Sequence, residues 1–153
     1  DVDIWGYNEL DLFSHTLHLL TVSLAVSLTK DIIKNKKVFL VDSRKKKCLI
    51  KALVNAVGFC MKNDYLKDVP FFLDTGYSLL PEHKFYNFDE EEGYLNFMHG
   101  FYLLMTGKEK GRQMMMDTIH KFLSSGNRLA ASQAHRLYDE AIIKLYKKEH
   151  NLG

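Results

Sequence analysis

The chain has 153 residues, 46% of them apolar, which is enough for one well-buried core and fits a single domain spanning 1–153 better than two small ones. Its 21 basic and 19 acidic residues leave a formal net charge of +2, a field too weak to argue for a general nucleic-acid surface. The two cysteines, Cys48 and Cys60, fall on one expected helix roughly 18 Å apart, beyond disulfide reach. Free thiols, no signal peptide and no long apolar span point to a reducing, cytoplasmic setting. The longest uncharged run, Leu12 to Thr29, is broken by serines, threonines and histidines and makes a poor membrane span. A start at Asp1 rather than at Met reads as a fragment of something longer.

Apolar residues recur at three- and four-residue spacing almost throughout, with only two prolines and no clear period-two strand, so the spacing predicts seven helices. The first runs from about Ile4 to Leu20 and buries Leu10, Phe13, Leu17 and Leu20. The second, from about Thr21 to Asn35, is apolar on nearly all sides and should sit between neighbours. The third, from about Ser43 to Lys62, buries Cys48, Leu49, Ala52, Leu53, Ala56, Val57 and Cys60. The fourth, from about Asp64 to Leu80, carries Pro70 near its first turn, to be tolerated there or to kink the helix. Its Phe71, Phe72 and Leu73 should give bulk to the core.

Asp89 with Glu92 three residues on forms a capping box for a fifth helix reaching Thr106, which Gly107 ends. The sixth runs from about Glu109 to Ser124 and stops at Gly126. The seventh, from Asn127 to about His150, has a stripe at Ala130, Ala134, Leu137, Ala141 and Leu145. Odd-numbered helices start near residues 5, 43, 89 and 127, close to the roughly 34 to 47 residues of helical-hairpin repeats. The expected fold is therefore all-α, stacked helical hairpins in a tetratricopeptide-like right-handed superhelix, with a closed bundle as the alternative. Its concave surface should be lined mainly by the odd-numbered helices.

On the polar faces of those helices, Asn8, Asp11, His15 and His18 share one side of the first, and Lys47, Lys51, Asn55 and Lys62 one side of the third. The fifth offers Glu92, Asn96 and His99, with Tyr94, Phe97, Met98 and Phe101 beside them. Mixed amide and aromatic groups of this kind can hold a peptide, amides fixing its backbone and aromatics receiving its apolar residues. The plainer reading of each stripe is the solvent face of an amphipathic helix.

Trp5-x-Tyr7-x-Glu9-Leu10 with Leu12-Phe13, Leu28-Thr29-Lys30, Ala52-Leu53-x-Asn55, Gly100-Phe101-Tyr102, Gly107-Lys108-x-Lys110-Gly111 with Met114 or Met115 and Ile119, and Gly126 before Leu129 and Ala130 form an ordered series. In that order and spacing the chain resembles the C-terminal regulatory domain of the Rgg/GadR/MutR family of Gram-positive transcriptional regulators. It departs from the family pattern at Ser14-His15 and at Pro70. The resemblance implies a cytoplasmic quorum-sensing regulator. An N-terminal helix-turn-helix, absent from this chain, would bind DNA, while the helical-repeat domain forms a homodimer and binds a short peptide pheromone.

The candidate peptide contacts are Asn8, His15, Lys51, Asn55, Tyr94, Phe97, Met98 and Phe101. The candidate dimer contacts on the last helix are Leu137, Tyr138, Ala141, Ile142 and Leu145. A tetratricopeptide-like protein–protein scaffold without a small peptide ligand is the alternative function. No enzyme is expected, since no nucleophile–base pair, phosphate loop or metal signature is present. No cofactor is expected either. His15 and His18 lack the further ligands a metal needs. The basic run Arg44-Lys45-Lys46-Lys47 could attract a peptide carboxylate, but reads first as a solvated helix start. Of Met114, Met115 and Met116, the middle one should pack in the core with Ile119 and Phe122, while at least one of the three faces outward.

Overall fold

The computed structural model describes residues 7–82 and 87–152, with side chains from residue 10 onward. Among them the chain is all-α, with α1 (Tyr7–Thr16), α2 (Val22–Lys34), α3 (Ser43–Lys62), α4 (Val69–Ser78), α5 (Asp89–Met105), α6 (Lys110–Ser124) and α7 (Arg128–Glu149). Single 3-10 turns follow α1 at Leu17–Leu19 and α2 at Lys36–Phe39. The expected start of the first helix at Ile4 lies outside the described residues. Contacts divide the chain into two compact units, Asp1–Leu95 and Asn96–Gly153, and the division falls within α5.

In the first unit α3 is the central helix. It packs against α1, α2 and α4, and nine of its residues are buried, from Leu49 to Met61. Asp42 starts it, accepting a hydrogen bond from the Lys45 amide at 2.7 Å. Leu10, Phe13 and Leu17 supply the buried face of α1 and its 3-10 extension. The sequence expectation that α2 sits between neighbours is corrected here. α2 buries one stripe, Ala25, Val26, Thr29, Ile32 and Ile33, while Leu24 on its other side stays 47% exposed. Hydropathy alone does not say which apolar face finds a partner, and α3, with its alanines, approaches its neighbours on several sides.

The fourth helix begins at Val69 rather than near Asp64. Asp64 takes a left-handed φ of 58°. The Tyr65 amide then donates to the Cys60 carbonyl at 2.9 Å, and the Asp64 amide to Met61 at 3.4 Å. Those two bonds close α3 in a Schellman motif and break the helical path. Pro70 falls in the first turn of α4, where its missing N–H has no intrahelical acceptor to lose, so no kink is needed. Phe72 and Leu73 are buried as expected, whereas Phe71 is exposed.

The fifth helix also caps differently from the expectation. The Glu92 amide donates to the Phe88 carbonyl at 2.9 Å, so Phe88 holds the cap position. Asp89 belongs to the first turn with Glu90, Glu91 and Glu92, a charge placement that suits the positive end of the helix dipole.

In the second unit, α6 and α7 pair as a hairpin. Gly107 and Gly126 adopt φ of +88° and +80° and close α5 and α6 with the same bond pair seen at Asp64, Lys108 to Leu103 at 2.8 Å and Asn127 to Phe122 at 2.9 Å. Asn127 caps α7 by accepting from the Ala130 amide at 3.2 Å. At the far end of α7, Lys148 donates to the Met105 carbonyl at 3.1 Å, satisfying the last turn of α5. α5 and α6 touch through backbone, with Gly100 and Gly111 facing one another. Met115, Ile119 and Phe122 are buried, and Met114 and Met116 are half-buried beside them.

Candidate functional site

A cleft of about 570 Å³ opens between α1 and α3 in the first unit. Helical periodicity builds it. Asp11, Ser14 and His15 lie three and four residues apart on α1, and Arg44, Lys47, Cys48, Lys51 and Asn55 repeat the same spacing along α3, with Ser43 at its start. From Arg44 to Asn55 the row is about 16 Å long, the reach of some five residues of extended chain.

Each feature of the cleft wall has a physical cause. The His15 imidazole Nδ1 lies 2.7 Å from the Asp11 carbonyl and 3.5 Å from its carboxylate. The Lys47 ammonium sits 5.1 Å from the centroid of the Phe88 ring, a cation–π arrangement that holds the lysine stem. Lys51 reaches Glu91 at 3.9 Å. Glu91 is only 3% exposed, and burial pushes its carboxyl up despite the opposing charges of Lys51 and Lys47. Burial, aided by the Asp11 charge, also raises the Cys48 thiol against the pull of Lys51 and Arg44. Cys48 is thus a neutral thiol and a poor nucleophile at neutral pH. Three cations against one lining carboxylate favour an anionic group, and Asn55, Ser14 and Ser43 offer donors and acceptors suited to a peptide backbone.

Of the sequence-predicted contacts, His15, Lys51 and Asn55 are brought together in this cleft. Asn8 lies in α1, its side chain outside the described residues. Tyr94 is half-buried, its hydroxyl donating to Glu90, and burial together with that carboxylate raises its pKa. Phe97, Met98 and Phe101 are buried. On α7, Ala141 is fully buried, while Leu137, Tyr138, Ile142 and Leu145 are half-buried. A second hollow of about 560 Å³ lies between α6 and α7, with Ile119, Leu123 and Ala131 beside Arg128, His135 and Arg136.

Arg44 and Lys47, first read as a solvated helix start, line the cleft. Glu91, in the acidic first turn of α5 beside the Asp89 and Glu92 of the expected capping box, stands behind it. The available signal for both was the match between a basic face on one helix and an acidic first turn on another.

The family profile of the C-terminal domain of the HTH-type transcriptional regulator Rgg matches residues 1–139. The chain belongs to the Rgg family. No curated protein and no solved structure gives a significant match. The Rgg domain is thus the regulatory domain of a transcriptional regulator, in a family of regulators rather than enzymes. Among its described residues no helix is long and apolar enough to cross a membrane, and no cluster of three or more His, Cys, Asp or Glu is set to hold a metal ion.

Proposed function

We propose that this Rgg domain is the peptide-sensing and dimerisation module of a cytoplasmic quorum-sensing regulator from a Gram-positive bacterium, acting on DNA through a helix-turn-helix domain. The observation that carries the reading is the α1–α3 cleft, cationic along one wall and lined with amide and hydroxyl groups. A short peptide laid along α3 presents a carboxylate to Arg44, Lys47 and Lys51, and its backbone amides to Asn55 and His15. Within the same unit Asn8 and Tyr94 remain proposed contacts of that peptide, and Phe97, Met98 and Phe101 are kept as proposed peptide contacts apart from the cleft. The α6–α7 hairpin is the kind of unit that a tetratricopeptide-like right-handed superhelix stacks. On α7, the half-buried Leu137, Tyr138, Ile142 and Leu145, beside Ala141, form the proposed contact with a second copy.

The test is selection of binders to the full chain from a random octapeptide library, then calorimetric titration of one selected octapeptide. Lys51→Gln removes a charge-assisted contact worth about 1.5–3 kcal/mol, so affinity should fall roughly 10- to 150-fold. Asn55→Ala should lower it about fivefold. Failure to select any octapeptide, or equal binding by all three proteins, refutes the reading. For the dimer, Ile142→Glu should convert the sedimentation profile from dimer to monomer, and an unchanged profile removes α7 from the contact.

A further inference from the structure

Lys51 belongs to two places at once. Its ammonium lines the α1–α3 cleft, half exposed to whatever enters, and its other neighbour is the Glu91 carboxylate 3.9 Å away. Glu91 has little solvent to fall back on, being 3% exposed. The charged and titratable groups that face it are Lys51 and Lys47 from α3, and Glu90 and Tyr94 from its own helix. Burial, with Glu90, opposes its ionised form, whereas a backbone hydrogen bond and the two lysines favour it. Whatever draws positive charge away from Glu91 must therefore favour its protonation.

An anion in the cleft does this twice over. It attracts the Lys51 ammonium toward itself, and it adds negative charge beside a buried carboxylate whose ion-pair partner is that same ammonium. We infer that Glu91 is the positioning residue of the cleft, holding Lys51 in place when the cleft is empty and taking up a proton when an anionic group of the ligand engages that lysine. The inference rests on the peptide reading above, and assigns proton linkage to the site that the reading names.

The bookkeeping of charge is simple. The ligand carboxylate enters ionised, Lys51 stays an ammonium and changes partner, and solvent supplies one proton to the Glu91 carboxylate. No covalent bond forms. Linkage then requires the ligand to bind more tightly as the pH falls through the range where Glu91 titrates, up to about tenfold for each unit by which ligand raises its pKa. His15 also lines the cleft, so its contribution has to be separated.

The experiment is calorimetric titration of the full chain with the selected octapeptide, as free acid, between pH 5 and pH 8 in buffers of differing ionisation heat. Proton uptake is expected for the wild type and for His15→Asn, and is expected to vanish in Glu91→Gln, whose affinity becomes nearly independent of pH. Glu91→Asp, which keeps the carboxyl on a shorter stem, should restore part of the uptake. Binding by the wild type without proton uptake overturns the inference and leaves the peptide reading intact, as does uptake that persists in Glu91→Gln and disappears in His15→Asn. A library that yields no binder overturns both.

Discussion

Replacing Gly111 with alanine probes the closest helix contact in the second unit. A Cβ at residue 111 would stand 2.2 Å from the Gly100 carbonyl oxygen, 2.6 Å from the Leu104 amide nitrogen and 3.0 Å from the Leu103 Cβ. The first two are backbone atoms, so no side-chain rotation relieves the clash. Restoring an ordinary 3.4 Å contact requires α6 to withdraw by about 1.2 Å. A gap of that size forfeits about half of each dispersion contact across the seam, where Met114 and Met115 lie against α5. Overpacking of this kind costs about 3 kcal/mol, and the better helix propensity of alanine returns about 1 kcal/mol. The net loss of about 2 kcal/mol lowers the melting temperature by roughly 4–8 °C in a chain of this size. Gly107→Ala is the control, since among the described residues nothing lies within 4 Å of its would-be Cβ and only the φ of +88° is strained, a cost of about 1 kcal/mol. Thermal and urea unfolding of both variants, followed by circular dichroism, decides the matter. A Gly111→Ala protein as stable as the wild type, or less affected than Gly107→Ala, would refute the backbone contact.

At Asp64 the left-handed φ of 58° falls on a residue that tolerates it less well than glycine, so Asp64→Gly should raise stability by about 0.5–1 kcal/mol in urea titration. The Asp68 carboxylate accepts from the Tyr65 hydroxyl at 2.8 Å and pairs with Lys30 at 3.1 Å. Burial works to raise its pKa, but these partners outweigh it and hold the carboxyl below the usual range. A depressed folded pKa gives stability that is complete above the ordinary Asp range and lost as the pH falls through the lower, folded value. Asp68→Asn should therefore destabilise at neutral pH and flatten the acid limb of the stability curve below about pH 4. Glu91 has the opposite sign: its folded pKa is raised, so its ionisation weakens the fold as the pH climbs from the unfolded value through the folded one. Without ligand, Glu91→Gln should be the more stable protein at pH 8, with the difference closing toward pH 4 in paired melting curves.

Much of the helical order was readable because the apolar period is strong and the stops are local. α3 runs from Ser43 to Lys62 as the periodicity indicates, and Gly107 and Gly126 end their helices where a glycine is needed. The start of α4 was not readable, because residues 64–68 hold no glycine or proline to mark the left-handed turn at Asp64 that ends α3. The apolar circumference of α2 misled for a related reason, since composition reports how much surface wants burial and not which side is offered a neighbour. The place of His15, Lys51 and Asn55 in the cleft wall was legible because polar residues on an amphipathic helix point away from its core, leaving few places for them to go. An aromatic residue at helical spacing fits a groove or a core equally well, which is why Phe97, Met98 and Phe101 could not be sorted by pattern. The pairing of Lys51 with Glu91 joins helices forty residues apart in sequence, and no local signal carries it.

The helix that forms one wall of the cleft is also the one with three helical neighbours and the longest run of buried residues in its unit. Amides in such a helix exchange with solvent only when much of the surrounding structure opens. Whatever grips Lys51 and Asn55 therefore pulls on the part of the molecule least able to move alone. Ligand occupancy should register as slower deuterium uptake in the partners of α3, reaching α2 and α4, which contribute nothing to the lining of the cleft. In this unit the wall of the proposed binding cleft and the keel are one piece, so on that reading a ligand taken up at its surface is at once a change in the rigidity of its core.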